Sequence, residues 1–421
     1  MRVRILALGS RGDVQPFIAL VLRLREAGHD AAVIATDDYA SLASRYGAPF
    51  RSAGGSIADL MDRRIALAAL DGSANPIALA RRFVDGVAPH LPPIYSACWT
   101  AVRDADLIVA STLGLLIAPE FAEKLDVPLV GAHFHPVART ADVGPVHLPG
   151  WTGRLLSPRL ASAAGALPQM VLAQLLHEAL NEARRRTDAG PIRSRRDEAR
   201  LAGRPPALSL YGYSRQLLPP VTGLPPEIAV TGFWMLPAPP GWRPDPVMER
   251  FVGDGRSVYV GFGSLLGGRD PEALTQLIGR AGAAAGRRIV LFRGWGDLGS
   301  GRLPAHLLAV DETPHVWLFP RMAAAVHHAG AGTTGAALRA GIPSIPVPAY
   351  GDMNLWARRI ARLGAATEPI PRSELTTDRL AAALLAATGL SRLRDGAARL
   401  GRRLAAEDGT GNAVRAIERT S

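Results

Sequence analysis

The chain predicts an α/β protein built from two Rossmann-like, doubly wound parallel-sheet domains. Two patterns and one compositional fact carry that expectation. Residues 3–8 form a continuous apolar run, a glycine-bearing turn covers 9–16, an amphipathic run covers 17–27, and a second apolar run covers 31–36. Such a change from strand to helix spacing and back is a β-α-β unit with parallel strands. The rhythm then restarts after LPAPPGWRPDP at 236–246, where five prolines in eleven residues resist both helix and strand. With 421 residues, 48% of them apolar, the chain has the material for two cores.

Taken in order, residues 107–111 and 127–133 read as further strands, with a helix over 114–125 between them. Residues 55–100 and 140–200 are insertions broken by prolines and glycines, in which 168–186 is the most convincing helix. After the linker come a strand at 258–262, a turn at 263–268, a helix at 271–285, a strand at 288–292 and a loop at 293–299. Residues 316–318 and 324–327 read as short extended runs. A turn at 329–334, a helix at 335–340, an extended run at 344–348 and a loop around Asp352 follow. A helical region over 393–417, interrupted near 409–411, ends the chain. The expected division is 1–235, a linker at 236–246, 247–400, and a terminal helix at 401–421.

Composition limits the partners. The net charge is +11, yet Lys124 is the sole lysine, the arginines are scattered except for Arg184–Arg186 and Arg193–Arg196, and few aromatics interleave with them. That pattern follows base composition and argues against nucleic acid. The single cysteine, Cys98, builds neither a disulfide framework nor a cysteine metal site. No apolar run reaches the length of a membrane span, so membrane contact is expected to be peripheral at most, and the location cytoplasmic. Neither a Walker sequence, a GxGxxG after the first strand, nor a HExxH is present. Nucleotide hydrolysis, nicotinamide chemistry and a histidine-based zinc site therefore lack their usual residues.

The chemistry gathers at turns that follow strands. In HHAGAGTTGAALRAG, small residues at a helix mouth let backbone N–H groups approach an anion, and the helix end adds positive potential. Thr333, Thr334 and a histidine add side-chain donors. The same turn also fits a strand-to-helix junction packed with small residues. Asp13, after the first strand, fits a helix cap as well as a general base. His133 and His135 end another strand, and each reads equally as a structural histidine.

Several motifs together resemble the GT-B glycosyltransferases of the UDP-glycosyltransferase superfamily, in particular the vancomycin-type antibiotic enzymes and the sterol 3β-glucosyltransferases. They are GSRGDVQPFIAL at 9–20, VTGFW at 230–234, VYVGFGSL at 258–265, RGWGDL at 293–298 and HHAGAGTT at 327–334. The resemblance implies two Rossmann-like domains facing across a cleft, acceptor in the N-terminal one and nucleotide sugar in the C-terminal one. It also implies inverting transfer with no metal ion and no cofactor beyond the nucleotide-sugar co-substrate. Asp13 matches the general base, with Ser10 and Arg11 beside it. His328, Gly330, Ala331, Gly332, Thr333 and Thr334 match the diphosphate loop, and Ser264 another phosphate contact. Arg293 and Trp295 match the nucleotide-side loop; Trp317, Leu318 and Phe319 match the base pocket. His133 and His135 are placed toward the acceptor.

Two departures stand out. Ala329 replaces a glycine, which is tolerable where φ is negative. At the sugar loop Asp352 is followed by Met353 and Asn354 in place of the usual glutamine. Either Asn354 substitutes, or the donor is a deoxysugar that offers fewer hydroxyls there. The resulting expectation is transfer from a dTDP- or UDP-linked sugar to a hydroxyl of a hydrophobic natural product. A UDP-glucose-dependent sterol or lipid glucosyltransferase is the alternative. A nucleotide-sugar 2-epimerase and an inactive accessory homologue are the more distant ones.

Overall fold

The computed structural model describes residues 1–56, 81, 84–137, 167, 169–219, 224–263, 270–294, 298–349 and 351–420. Its contacts divide the chain into two units. One holds the described residues up to Leu236 together with Asp408–Ser421; the other includes Pro237–Glu407.

The first unit runs β1 (Arg2–Leu6), α1 (Arg11–Glu26), β2 (Asp30–Ala35), α2 (Ala40–Arg45), β3 (Phe50–Ser52), α3 (Leu91–Val102) and β4 (Leu107–Ser111). It continues with α4 (Ala118–Leu125), β5 (Leu129–His133), α5 (His177–Arg185), α6 (Arg195–Ala202), β6 (Leu208–Tyr211) and β7 (Ile228–Val230). The strands form one sheet in the order β3-β2-β1-β4-β5-β6-β7, with every pairing parallel. Alternation along β1 sends Val3 and Ile5 into a core with Phe17, Leu20 and Leu24 of α1. Leu6 goes to the opposite core with Cys98 of α3 and Phe121 of α4. Both faces are covered, which is why the strands read as unbroken apolar runs.

The second unit comprises α7 (Pro246–Val252), β8 (Val258–Gly261), α8 (Pro271–Ala284), β9 (Ile289–Phe292), β10 (Leu307–Val310) and α9 (His315–Leu318). Then come β11 (Ala324–His327), α10 (Ala331–Arg339), β12 (Ser344–Pro346), α11 (Asp352–Arg362), α12 (Thr377–Gly389) and α13 (Ser391–Ala405). Its sheet has the order β10-β9-β8-β11-β12, again all parallel. The final helix, α14 (Gly409–Glu418), belongs to the first unit. Its Ala413, Val414 and Ile417 join the core around Phe17, and Asn412 Nδ2 donates to the Thr231 carbonyl at 2.8 Å.

Three local differences from the sequence reading matter. Helix α1 starts at Arg11, before the expected start at 17, and carries Pro16 in its second turn, where one intrahelical bond is lost. Helix α10 starts at Ala331, so Thr333 and Thr334 lie inside its first turn. Residues 315–318 are helical and not extended, because four residues are too few for period to separate the two.

The described part of the second insertion is tied to the sheet by buried charge. Arg184 of α5 donates from Nε to both oxygens of Glu120 on α4, each at 3.0 Å. Its Nη1 and Nη2 donate to Glu198 of α6 at 2.6 and 3.0 Å. Tyr95 Oη donates to Glu120 at 2.6 Å, and Arg193 Nε at 3.2 Å. Arg184, Glu120 and Glu198 are all buried. Arg184→Met should therefore lower stability by about 3–5 kcal/mol, because two carboxylates lose their buried partner. Glu182→Ala, which removes only exposed pairs to Arg185 and Arg186, should leave the unfolding midpoint close to that of wild type. Urea unfolding followed by circular dichroism separates the two; equal midpoints would remove the network from the stability of this unit.

Candidate active site

In each sheet the strand order reverses beside the first strand of its unit: β1 lies between β2 and β4, and β8 between β9 and β11. Chains leaving the carboxyl ends of such neighbours diverge to opposite faces and leave a crevice for ligand. The candidate residues of Gly9–Asp13 follow β1, and those of His328–Thr334 follow β11.

In the first unit, Ser10 is the N-cap of α1 and Asp13 stands three residues on. Asp13 Oδ2 accepts from Ser10 N at 2.8 Å and from Ser10 Oγ at 2.9 Å. The cap and the candidate base are thus one carboxylate: the bonds that close the helix end also fix its rotamer. Gly9 makes this possible. It has φ +139°, and a Cβ there would meet Asp13 Oδ2 at 2.5 Å. Arg11 Nε donates to Gln15 at 3.0 Å. Tyr39, after β2, is buried, and burial together with the Asp13 carboxylate pushes its phenol above its usual range. The motif spacing gave no sign of Gly9's role or of Tyr39.

His133 Nδ1 shares a 2.9 Å hydrogen bond with Thr112 Oγ1, which follows β4. Its ring lies 6.3 Å from that of His135 and 5.7 Å from that of Tyr211. Burial lowers His135 to about 4. His135 is thus neutral at neutral pH, and His133 is hydrogen-bonded to the Thr112 hydroxyl.

In the second unit, α10 has Gly330 as N-cap with no side-chain cap, so the leading N–H groups of its nine residues have no capping side chain. Thr333 is partly exposed and Gly332 open, whereas Thr334 is fully buried. The His328 ring fits between two glycines: a Cβ on Gly263 would reach it at 3.1 Å and one on Gly330 at 2.5 Å. Burial first, then the charge of Arg372, lowers His328 to about 4, against a hydrogen bond with the Gly261 backbone. His327 is fully buried and lowered to about 3 by burial first, then by His328 and His315. Its Nδ1 accepts from Ala329 N at 3.1 Å. Ala329 has φ +64°, so the condition of a negative φ is not met: this alanine sits in left-handed space, held there by His327. His327 was absent from the predicted site, and it is the residue that anchors the turn.

The other candidates divide. Leu318 and Phe319 are wholly in the core, the Phe319 ring stacked 4.2 Å from His315. Trp317 is partly exposed, 5.3 Å from Trp242 and under the Arg321 guanidinium at 4.4 Å. Arg293 folds back on its own loop, donating to the Gly299 carbonyl at 2.9 Å. Asp352 opens α11, where Gly351 with φ +56° is the N-cap. Met353 joins the buried stripe of Trp356, Ala357 and Ile360, while Asp352 and Asn354 are partly exposed. The deoxysugar expectation placed Met353 against the sugar, and its packing here gives that no support. Ser264 and Trp295 lie outside the described residues. Among the described residues no group of three or more His, Cys, Asp or Glu could hold a metal ion, and no helix is long and apolar enough to cross a membrane.

Comparison with known proteins matches both halves. Residues 3–73 match the glycosyltransferase family 28 N-terminal domain, and residues 277–418 the erythromycin biosynthesis protein CIII-like C-terminal domain. The chain has the GT-B fold of the glycosyltransferases. Among curated relatives of this GT-B chain, a sterol 3-beta-glucosyltransferase of Aspergillus fumigatus is 31% identical over 445 residues, covering 100% of this chain. The chain spans 30% of that relative's length. Solved GT-B structures include the kitacinnamycin glycosyltransferase, with TM-score 0.67, 21% identity and coverage of 99% and 98% of the two chains. A spinosyn rhamnosyltransferase complexed with thymidine diphosphate gives TM-score 0.66 at 18% identity, covering 99% of this chain and 100% of its own.

Two measurements follow. Ala329→Gly should raise stability by about 1 kcal/mol, since a non-glycine residue in left-handed space carries a steric cost that glycine lacks. A lower melting temperature for that variant would contradict the turn geometry. The lowered histidines give a second test. A group held neutral in the fold leaves stability intact above its unfolded value near 6.5, and stability falls as pH drops from there toward 4 or 3. His327 alone should contribute a slope of about 1.4 kcal/mol per pH unit in that window. A urea midpoint that stays flat from pH 6.5 to 4.5 would show that these rings are not buried neutral.

Proposed function

We propose that this GT-B chain transfers a sugar, with inversion, from a dTDP- or UDP-linked donor to a hydroxyl of a hydrophobic natural product. The uncapped N-terminus of α10, with His328 and Thr333 beside it, carries the reading. Backbone dipoles and N–H groups there suit a diphosphate without requiring a metal ion. In the proposed reaction Asp13 takes the proton of the acceptor hydroxyl while its oxygen bonds to the anomeric carbon. The bond from that carbon to the diphosphate oxygen breaks, and the nucleoside diphosphate leaves with the bonding pair. Asp352 and Asn354, the partly exposed residues at the start of α11, hold sugar hydroxyls in this scheme. In this scheme Trp317 and Arg293 serve the nucleotide, and His133 and His135 the acceptor.

A second reading has its own support. The match to sterol 3-beta-glucosyltransferases covers the whole chain at 31% identity, above the 21% and 18% of the two antibiotic-type structures. It favours a UDP-glucose donor and a sterol or other lipid hydroxyl. Thermal-shift screening of UDP-glucose, dTDP-glucose and dTDP-deoxyhexoses separates the readings, since a ligand that binds only the folded state raises its stability.

The mechanism is tested at Asp13. Asp13→Asn should keep donor affinity and lower turnover by about 100-fold or more, the scale of a general base. Near-normal turnover in that variant, with any accepted donor pair, would take Asp13 out of the mechanism.

A further inference from the structure

The second unit buries a cation that neither the motifs nor the proposed scheme uses. Residues 366–370 extend the sheet beside β12: Ala366 bridges Ser344, Thr367 N donates to the Ser344 carbonyl at 3.0 Å, and Ile370 N to the Pro346 carbonyl at 2.9 Å. Pro371 then caps a 3-10 turn, Arg372–Glu374. The turn sends Arg372 inward, where it is 6% exposed, while Glu374 pairs with Arg379 at the surface. The Arg372 guanidinium carbon sits 5.1 Å from the centre of the Phe262 ring. Phe262 links Gly261 and Gly263, and Gly263 is the residue whose Cβ would touch His328. One continuous set of contacts thus joins the buried arginine to the histidine at the mouth of α10.

We infer that Arg372 is a positioning residue of the donor site, whose buried guanidinium, held over Phe262, makes the His328 turn selective for a diphosphate over an uncharged ligand. The inference rests on the donor reading above. A charge placed in low dielectric acts over longer distances than one in water, so direct contact with the phosphates is not needed. Guanidinium suits the position because it is weakly hydrated, planar and able to stack on an aromatic face. Burial first, and the charge of Arg372 second, keep the His328 ring neutral, so the positive charge felt at the turn is the arginine's and does not titrate.

The test compares binding of UDP and dTDP with that of uridine and thymidine, by calorimetry on the full chain. Wild type comes first. If it binds neither diphosphate, the donor reading itself fails, whatever Arg372 does. If it binds one, Arg372→Met should weaken that diphosphate by about tenfold or more and the matching nucleoside by less than about twofold. Unchanged diphosphate affinity, or equal losses for diphosphate and nucleoside, would overturn the inference and leave Arg372 a packing residue. Circular dichroism first checks that the Met variant is folded. Should it not be, Arg372→Lys decides. It keeps the charge and should bind diphosphate within about threefold of wild type. A folded Lys variant that loses tenfold would show that charge is not what the position supplies.

Discussion

Parallel pairing of one strand with two neighbours whose chains leave in opposite directions is the constraint behind both halves of this protein. Leu6 of β1 faces Ile34 of β2 on one side and Ala110 of β4 on the other. Val260 of β8 likewise faces Leu291 of β9 and Val326 of β11. At these two places the ladder stops while the flanking chains part, so backbone groups just past the strands are available to a ligand. The turn of Asp13 follows β1 and the turn of His328 follows β11, at these two places. The candidate chemistry is therefore a consequence of sheet order before it is a matter of particular side chains.

Both turns hold backbone in conformations that ordinary residues avoid. Gly9 gives up a side chain so that Asp13 can close on Ser10; Ala329 keeps its methyl and remains left-handed. The second case needs an external hold, and the Ala329 N to His327 Nδ1 bond supplies one. Such strain persists where surrounding contacts over-determine it, and it clusters at working sites. His327 meets that requirement through burial, which also keeps its ring neutral and able to accept the bond. The paired histidines thus divide their labour: the first fixes the turn, and the second presents a ring to it.

Much of this was legible in the sequence, and the failures have physical causes. The apolar runs at 3–8, 31–36, 107–111 and 258–262 correspond to strands buried on both faces, for which composition is a strong signal. Helix starts were read late at Arg11 and Ala331, because Pro16 and the run of glycine and threonine look like turn residues in isolation. The helix at His315–Leu318 and the strand at Leu307–Val310 are only four residues each, shorter than any period can resolve. Ser10, Asp13, His328 and Thr333 stand out as candidates because their motifs are local. Gly9, His327 and Tyr39 matter through conformation or packing, which spacing does not encode. Met353, next to Asp352 in sequence, joins the buried stripe of α11, which adjacency along the chain does not reveal.

The same distinction explains why Arg372 has no local signature. It stands 44 residues after His328, in IPRSEL, a segment with no glycine and no histidine. Its relation to the site depends on a chain of contacts that only the folded second unit creates: the extension beside β12, the inward 3-10 turn and the Phe262 ring. A motif search weighs residues that touch one another along the chain. A buried charge acts through space, with a reach set by the dielectric around it. Where a turn relies on backbone dipoles and neutral rings, as the His328 turn does, a fixed cation within the same core adds the long-range component that those short-range donors lack.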